Sequence, residues 1–298
     1  MSSRLLYYLL LKPLSYLPLG ILYGVSDFMY VMLYKVFKYR QKVVRTNLVN
    51  SFPGKTNEEI AKIEQEFYSH FCDIIVESVR LFSIGESELR QRNKLRNPEV
   101  LDELYNEGKS VILVGGHYNN WETGAAILSR YVKHHIVGIY TPLSNEFFNT
   151  EILKSRERFG MEMLSKKIVK AGFENNKEKL TATIFATDQS PTHSKTVHWT
   201  KFLNQPTAVL FGSELYAKEY NFPVVYIYVT KVKRGYYEME AKLLEKNPAQ
   251  TPEGYITETH TRWLENQILA NPHYWLWTHK RWKRKWKDDD KLYSPNKG

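Results

Sequence analysis

The 298-residue sequence predicts an α/β protein: a mixed, largely parallel central sheet flanked by helices, with an apolar, membrane-associated helical segment at the amino terminus. Three observations carry that expectation. Short apolar runs of strand length alternate with longer stretches of helical period. Polar residues follow where those runs stop, at His117, at Thr141 and at Asp188 and Gln189. Between Pro13 and Tyr34 the only formal charge is Asp27, which sets the beginning of the chain apart from the rest.

Taken in order, residues 4–34 are apolar and aromatic but interrupted by Pro13, Pro18, Gly20 and Gly24. The segment lacks the small-residue cleavage site of a signal peptide. Crossing a bilayer, lying in its surface and pairing as core helices are all compatible with it. Lys35, Lys38, Arg40, Lys42 and Arg45 follow at once. A basic cluster behind an apolar segment favours an anchor with the following chain in the cytoplasm. Residues 1–40 are therefore expected to be an anchoring or interfacial segment and residues 41–298 a single α/β domain.

Thr56 is placed to cap a helix over 57–81, in which Ile60, Ile63, Phe67, Phe71, Ile74 and Ile75 recur at helical spacing. A short helix over 98–106 leads into a strand at 110–114, and a helix over 123–132 follows. A second strand, 136–140, precedes a helix over 145–159 that carries Arg156 and Arg158 near its end. A polar helix over 167–179 comes next, then a third strand over 181–187. Residues 190–205 read as a loop and 207–220 as a helix. Strands 224–230 and 236–243 join around Gly235, and a last helix ends near 269. The tail interleaves Trp275, Trp277, Trp282 and Trp286 with Lys280, Arg281, Lys283, Arg284, Lys285 and Lys287. Such a mixture suits single-stranded nucleic acid or a membrane interface. The apolar amino terminus favours lipid.

A net charge of +10 points to an anionic partner. Cys72 is the single cysteine, which excludes an internal disulfide and a cysteine-rich metal site. There is no G-x-S-x-G elbow and no glycine-rich phosphate loop. The histidines His134 and His135, and His193 and His198, form no metal-ligand spacing. What remains is a set of chemistry-bearing residues at strand ends: His117 with Glu122, Arg156 with Arg158, and Asp188 with Gln189. In open α/β sheets ligands bind at the carboxyl ends of strands. Glu122 sits five positions after His117, and a turn between them would let its carboxylate orient the imidazole as a general base. An arginine could bind a phosphate or steady an oxyanion.

These landmarks resemble those of the lipid A late acyltransferases, the lauroyl and myristoyl acyltransferases, which are relatives of the glycerol-phosphate acyltransferases. The resemblance includes the basic stretch from Lys42 to Phe52 with Asn47 and Pro53, then His117 and Glu122 after a strand. It continues with Arg156 after the second strand, Asp188 and Gln189 after the third, and the closing run from Pro272 through Trp275, Trp277 and His279 to Lys283. It implies a glycerol-phosphate acyltransferase-like fold and an enzyme on the cytoplasmic face of an inner membrane. It also implies acyl-acyl carrier protein as donor, a lipid A precursor as acceptor, anionic membrane lipid as a further partner, and neither nucleic acid, bound cofactor nor metal. By this similarity His117 is the base, Glu122 its partner and Arg156 an oxyanion or substrate ligand. Arg158, Asp188, Gln189 and Asn119 are expected to bind substrate. Two departures, Ser190 and Pro191 after the Asp-Gln pair and the loop Lys201 to Gln205, bear on acceptor and chain length. A lysophospholipid or aminolipid acceptor is the alternative within the same chemistry. A basic membrane- or nucleic-acid-binding protein without catalysis is the alternative outside it.

Overall fold

A computed structural model describes residues 3–191, 194, 196–287 and 290. In chain order the strands are β1 (Asn93–Leu95), β2 (Val111–Gly115), β3 (His135–Tyr140), β4 (Glu162–Ser165), β5 (Thr181–Ala186), β6 (Val197–Phe202), β7 (Gln205–Leu210), β8 (Val224–Lys233) and β9 (Tyr236–Glu245). The helices are α1 (Ser3–Leu6), α2 (Lys12–Ser15), α3 (Leu19–Tyr30), α4 (Gln41–Ser51), α5 (Asn57–Arg80), α6 (Glu86–Arg92), α7 (Glu99–Asn106), α8 (Trp121–Leu128), α9 (Glu146–Glu157), α10 (Val169–Asn175), α11 (Gly212–Tyr220) and α12 (Tyr255–Ala270).

Seven strands form one sheet in the order β1-β9-β8-β2-β5-β3-β4. Five adjacent strands, β8 to β4 in that order, run parallel, and β9 turns back antiparallel beside β8. The sheet is thus mixed and largely parallel, as the alternation of runs predicts. The side chains of β2 show why it must be covered twice. Ile112 and Val114 belong to the core on one face, with Phe67, Trp275 and Trp277. Val111 and Leu113 belong to the core on the other, with Leu101, Ile127 and Leu128. Strand period two turns a continuous apolar run into two buried faces.

Thr56 caps α5 as its position predicts. Its hydroxyl accepts from the Glu59 N–H at 3.3 Å, and Glu59 accepts from the Thr56 N–H at 2.8 Å. This reciprocal pair fixes the start of the longest helix. The short strands β1 and β4 escape the sequence reading, because three or four residues show too little alternation to count.

The larger correction lies at 190–220. The expected helix over 207–220 begins only at Gly212, and the residues before it form the β6–β7 hairpin. Leu203 and Asn204 connect the two strands with φ of 47° and 63°. Two left-handed residues make the tight turn whose twist matches paired strands. The apolar run over 206–211 is short enough to suit either element, and pairing with β6 decides it.

The segment Leu19–Val36 is continuous, α3 running into a π-helical stretch, and is long and apolar enough to cross a membrane. One side of it lies against α5. Leu19 and Leu22 pack on Val76, and the Tyr34 ring approaches that of Tyr68 at 5.1 Å. The Tyr23 hydroxyl donates to Glu77 and the Ser26 hydroxyl to Asp73, each at 2.8 Å. The opposite side exposes Ile21, Phe28 and Val31.

The tail also departs from expectation. Trp275, Trp277 and Trp282 are core residues, and only Trp286 among the four tryptophans is exposed. Trp275 and Trp277 meet edge to face at 4.8 Å, inside the cluster that covers β2. Bulky rings are worth more buried against the sheet than at a surface.

Candidate active site

Strands β2 and β5 are neighbours, and Gly115 stands opposite Ala186. Two residues beyond each lie His117 and Asp188. Equal offsets from a parallel register therefore bring an imidazole and a carboxylate together at one sheet edge. Nδ1 of His117 lies 2.5 Å from Oδ1 of Asp188. The backbone N–H of His117 and the indole N–H of Trp275 both donate to Oδ2, each at 2.8 Å. Gly116 makes this closeness possible. A Cβ there would stand 2.6 Å from Leu264 and 3.2 Å from Oδ2 of Asp188.

The electrostatics follow from this geometry. Burial opposes the charge on Asp188, yet the imidazole and the donors from Trp275 and the backbone hold its carboxyl well below the usual range. Burial also pushes the His117 imidazole down. The adjoining Asp188 carboxylate, with help from Glu122, outweighs that and holds it above its ordinary value. With Nδ1 committed to Asp188, Nε2 is the lone-pair nitrogen. It faces the Gln189 carboxamide nitrogen at 3.1 Å, and the imidazole meets the Trp121 ring edge to face with centroids 4.9 Å apart.

Glu122 takes a different place from the one expected. Both of its oxygens accept from Arg156: Oε1 from Nε, and Oε2 from Nη2 at 2.9 Å. The turn after His117 does not fold Glu122 onto the imidazole, because Asn120 already caps α8 and the helix begins at Trp121. The first turn then directs Glu122 towards α9, where a guanidinium fork matches a carboxylate better than an imidazole does. The site holds two pairs, His117 with Asp188 and Glu122 with Arg156, and not one His-Glu pair.

Of the remaining expected residues, Gln189 is beside the imidazole. Asn119 is buried with φ of 54°. Its side chain donates to the Val229 carbonyl at 2.8 Å and its N–H to that of Tyr274 at 3.0 Å, which uses it as a turn residue. Arg158 turns away, donating to the Leu81 carbonyl at 2.8 Å and lying over the Phe159 ring. Cys72 is buried, and burial pushes its thiol up to about 12, which makes it inert. Among the described residues no group of three His, Cys, Asp or Glu side chains is placed to hold a metal. His193 lies outside the described residues.

Three residues of the site come from the tail that reads as an interface in sequence. Trp275 anchors Asp188. Nε2 of His279 accepts from the Ser190 N–H at 2.9 Å, pinning the chain just after Gln189. Burial lowers its pKa to about 4, so it stays neutral there. Arg281 is buried and lines a small cavity with Asp188, Thr187 and Thr261, and burial lowers its pKa to about 10. The cluster of tryptophans after Pro272 was a signal of packing as much as of lipid.

The chain matches a model of the family described as bacterial lipid A biosynthesis acyltransferase over residues 2–284. It is 22% identical over 265 residues to the lipid A biosynthesis palmitoleoyltransferase of Escherichia coli K12, covering 86% of this chain and 83% of that protein. Similarity to the lipid A biosynthesis lauroyltransferase of the same organism is 22% over 288 residues, 91% of each chain. A lipid A biosynthesis acyltransferase of Haemophilus influenzae is 28% identical over 133 residues, 45% of this chain and 42% of that protein.

Proposed function

Because the chain belongs to the bacterial lipid A biosynthesis acyltransferase family, we propose that it moves a fatty acyl chain from the thioester of an acyl-acyl carrier protein to a hydroxyl of a lipid A precursor. The observation that carries the mechanism is the imidazole of His117, locked through Nδ1 on buried Asp188 with Nε2 turned outward. The acceptor hydroxyl takes the place of the Gln189 carboxamide at Nε2 and gives up its proton there. Its oxygen attacks the thioester carbonyl, forming the C–O bond and a tetrahedral oxyanion. Asp188 stabilises the imidazolium. Collapse of the oxyanion breaks the C–S bond, and the imidazolium returns its proton to the departing thiolate.

Arg156, oriented by both oxygens of Glu122, supplies a fixed cation beside this path, for the oxyanion or for a phosphate of the acceptor. The exposed side of α3, with Lys35, Lys38, Arg40 and Lys42 after it, is the surface proposed to meet the cytoplasmic face of the inner membrane. The net charge of +10 favours approach of an acidic carrier protein.

Transfer assays with purified protein, a series of acyl carrier thioesters and a lipid A precursor test the reading. His117→Ala is expected to lower kcat by about 10²- to 10⁴-fold, the usual share of general-base catalysis. A labelled acyl-enzyme, or near-normal transfer by His117→Ala, would overturn direct attack assisted by His117.

A further inference from the structure

The turn between His117 and Glu122 is held from below by a residue in a different element. Glu77 lies on α5, three residues before its end, and is 4% exposed. Its carboxylate accepts three hydrogen bonds. Oε2 accepts from Asn120 Nδ2 at 2.5 Å and from the Tyr237 hydroxyl at 2.8 Å, while Oε1 accepts from the Tyr23 hydroxyl at 2.8 Å. Burial raises the Glu77 carboxyl above its usual range, and the bonds from Asn120, Tyr237 and Tyr23 work against that rise. Asn120 is itself engaged through both its amide oxygen and its amide nitrogen. Its Oδ1 accepts the Thr123 N–H at 3.1 Å, the cap of α8, while its Nδ2 goes to Glu77. Thr123 in turn donates to Asn93 on β1 at 2.9 Å.

We propose that Glu77 is a positioning residue of the catalytic turn, holding Asn120 so that the backbone between His117 and Glu122 sets both site pairs at once. The inference rests on the reading of His117 as the base. Asn120 stands three residues after His117 and two before Glu122, so a shift at Asn120 moves the imidazole and the carboxylate that orients Arg156 together. A buried carboxyl group with no cationic partner among the described residues costs stability compared with an apolar residue of the same shape. The geometry it enforces on the turn gives this costly group a role. The Tyr23 bond adds an arm from α3, so the apolar segment and the catalytic turn meet on one side chain.

The test exchanges donor and acceptor. Asn120→Asp keeps the capping oxygen for Thr123 but presents an anion to Glu77 where a donor stood. Its kcat is expected to fall by about tenfold or more, with KM for the carrier thioester little changed. Adding Glu77→Gln to Asn120→Asp returns a donor to the junction, and most of kcat is expected to return with it. Amide hydrogen exchange over residues 117–123 is expected to speed up in Asn120→Asp and slow again in the double variant. That readout needs no substrate. If the wild-type protein transfers no acyl group, the functional reading fails while the exchange pattern still judges the junction. If Asn120→Asp does not fold, Asn120→Ser serves instead, keeping a capping oxygen on a side chain too short for Glu77, with the same split between kcat and KM expected. Unchanged kcat and exchange in the single variants, or loss in Asn120→Asp that Glu77→Gln does not repair, would overturn the proposal.

Discussion

At the scale of single residues, the decisive contact is between His117 and Asp188. A carboxylate on Nδ1 does two things to an imidazole. It selects the tautomer with Nε2 free, and it raises the affinity of the ring for a proton. The second effect sets a pH dependence. His117 holds its proton to a higher pH than the ordinary 6.5, so the rate should rise with pH through a limb above that value as the base form appears. Asp188→Asn removes the charge, so the limb should move to lower pH, while kcat at the plateau should drop by at least ~100-fold because the tautomer and the imidazolium both lose support. A pH–rate profile of the two proteins checks both signs. An unshifted limb would mean that another group titrates.

At the scale of elements, the site depends on how closely β2, β5 and α12 approach. Gly116 sits between Leu264 of α12 and the carboxylate of Asp188, with no room for a Cβ. Gly116→Ala should cost about 1–3 kcal/mol of stability, as overpacking a filled core does. It should also lower kcat, since the Asp188 carboxylate is one of the two groups that must yield. Denaturant unfolding alongside kinetics separates the two effects. An alanine that changes neither would show that Leu264 alone repacks. The long helix α5 has a comparable double role. It covers the sheet through Phe67 and Tyr68, and it presents Asp73 and Glu77, one turn apart, to Ser26 and Tyr23 of α3.

At the scale of the whole molecule, α3 is tied to the rest by polar contacts that a free membrane anchor would not need. Arg234 at the β8–β9 turn adds to them, donating to Asp73 and to Asp27 at 2.6 Å each. The docked side and the apolar outer side divide the segment lengthwise. Phe28, 65% exposed on the outer side, contributes little to folding. Phe28→Glu should therefore leave the melting temperature within a few degrees while reducing co-sedimentation with anionic phospholipid vesicles by about tenfold, as one charge in an interfacial apolar face would do. Undiminished vesicle binding would place the membrane contact elsewhere.

Much of this was legible in the linear order. Apolar period predicts the α/β class and the strands β2, β3 and β5, and Thr56 ahead of a helical run predicts the cap of α5, because those features depend on residues near one another in the chain. The same local reading finds His117 and Asp188, since each follows a strand, and Arg156 in the last turn of the helix after β3. Their pairing was not legible. Which strand lies beside which is set by crossovers of some seventy residues, and only the β2–β5 register puts Asp188, rather than the nearer Glu122, on Nδ1 of His117. The buried tryptophans of the tail were missed for the same reason, while the β6–β7 hairpin, a local pairing, was missed because its run is short enough for strand or helix. A short apolar run or an aromatic ring takes its meaning from what covers it. The sequence by itself determined the chemistry available at the sheet edge. The tertiary structure decided which acid serves which base, because a hydrogen bond between residues 71 positions apart exists only once the strands that carry them are side by side.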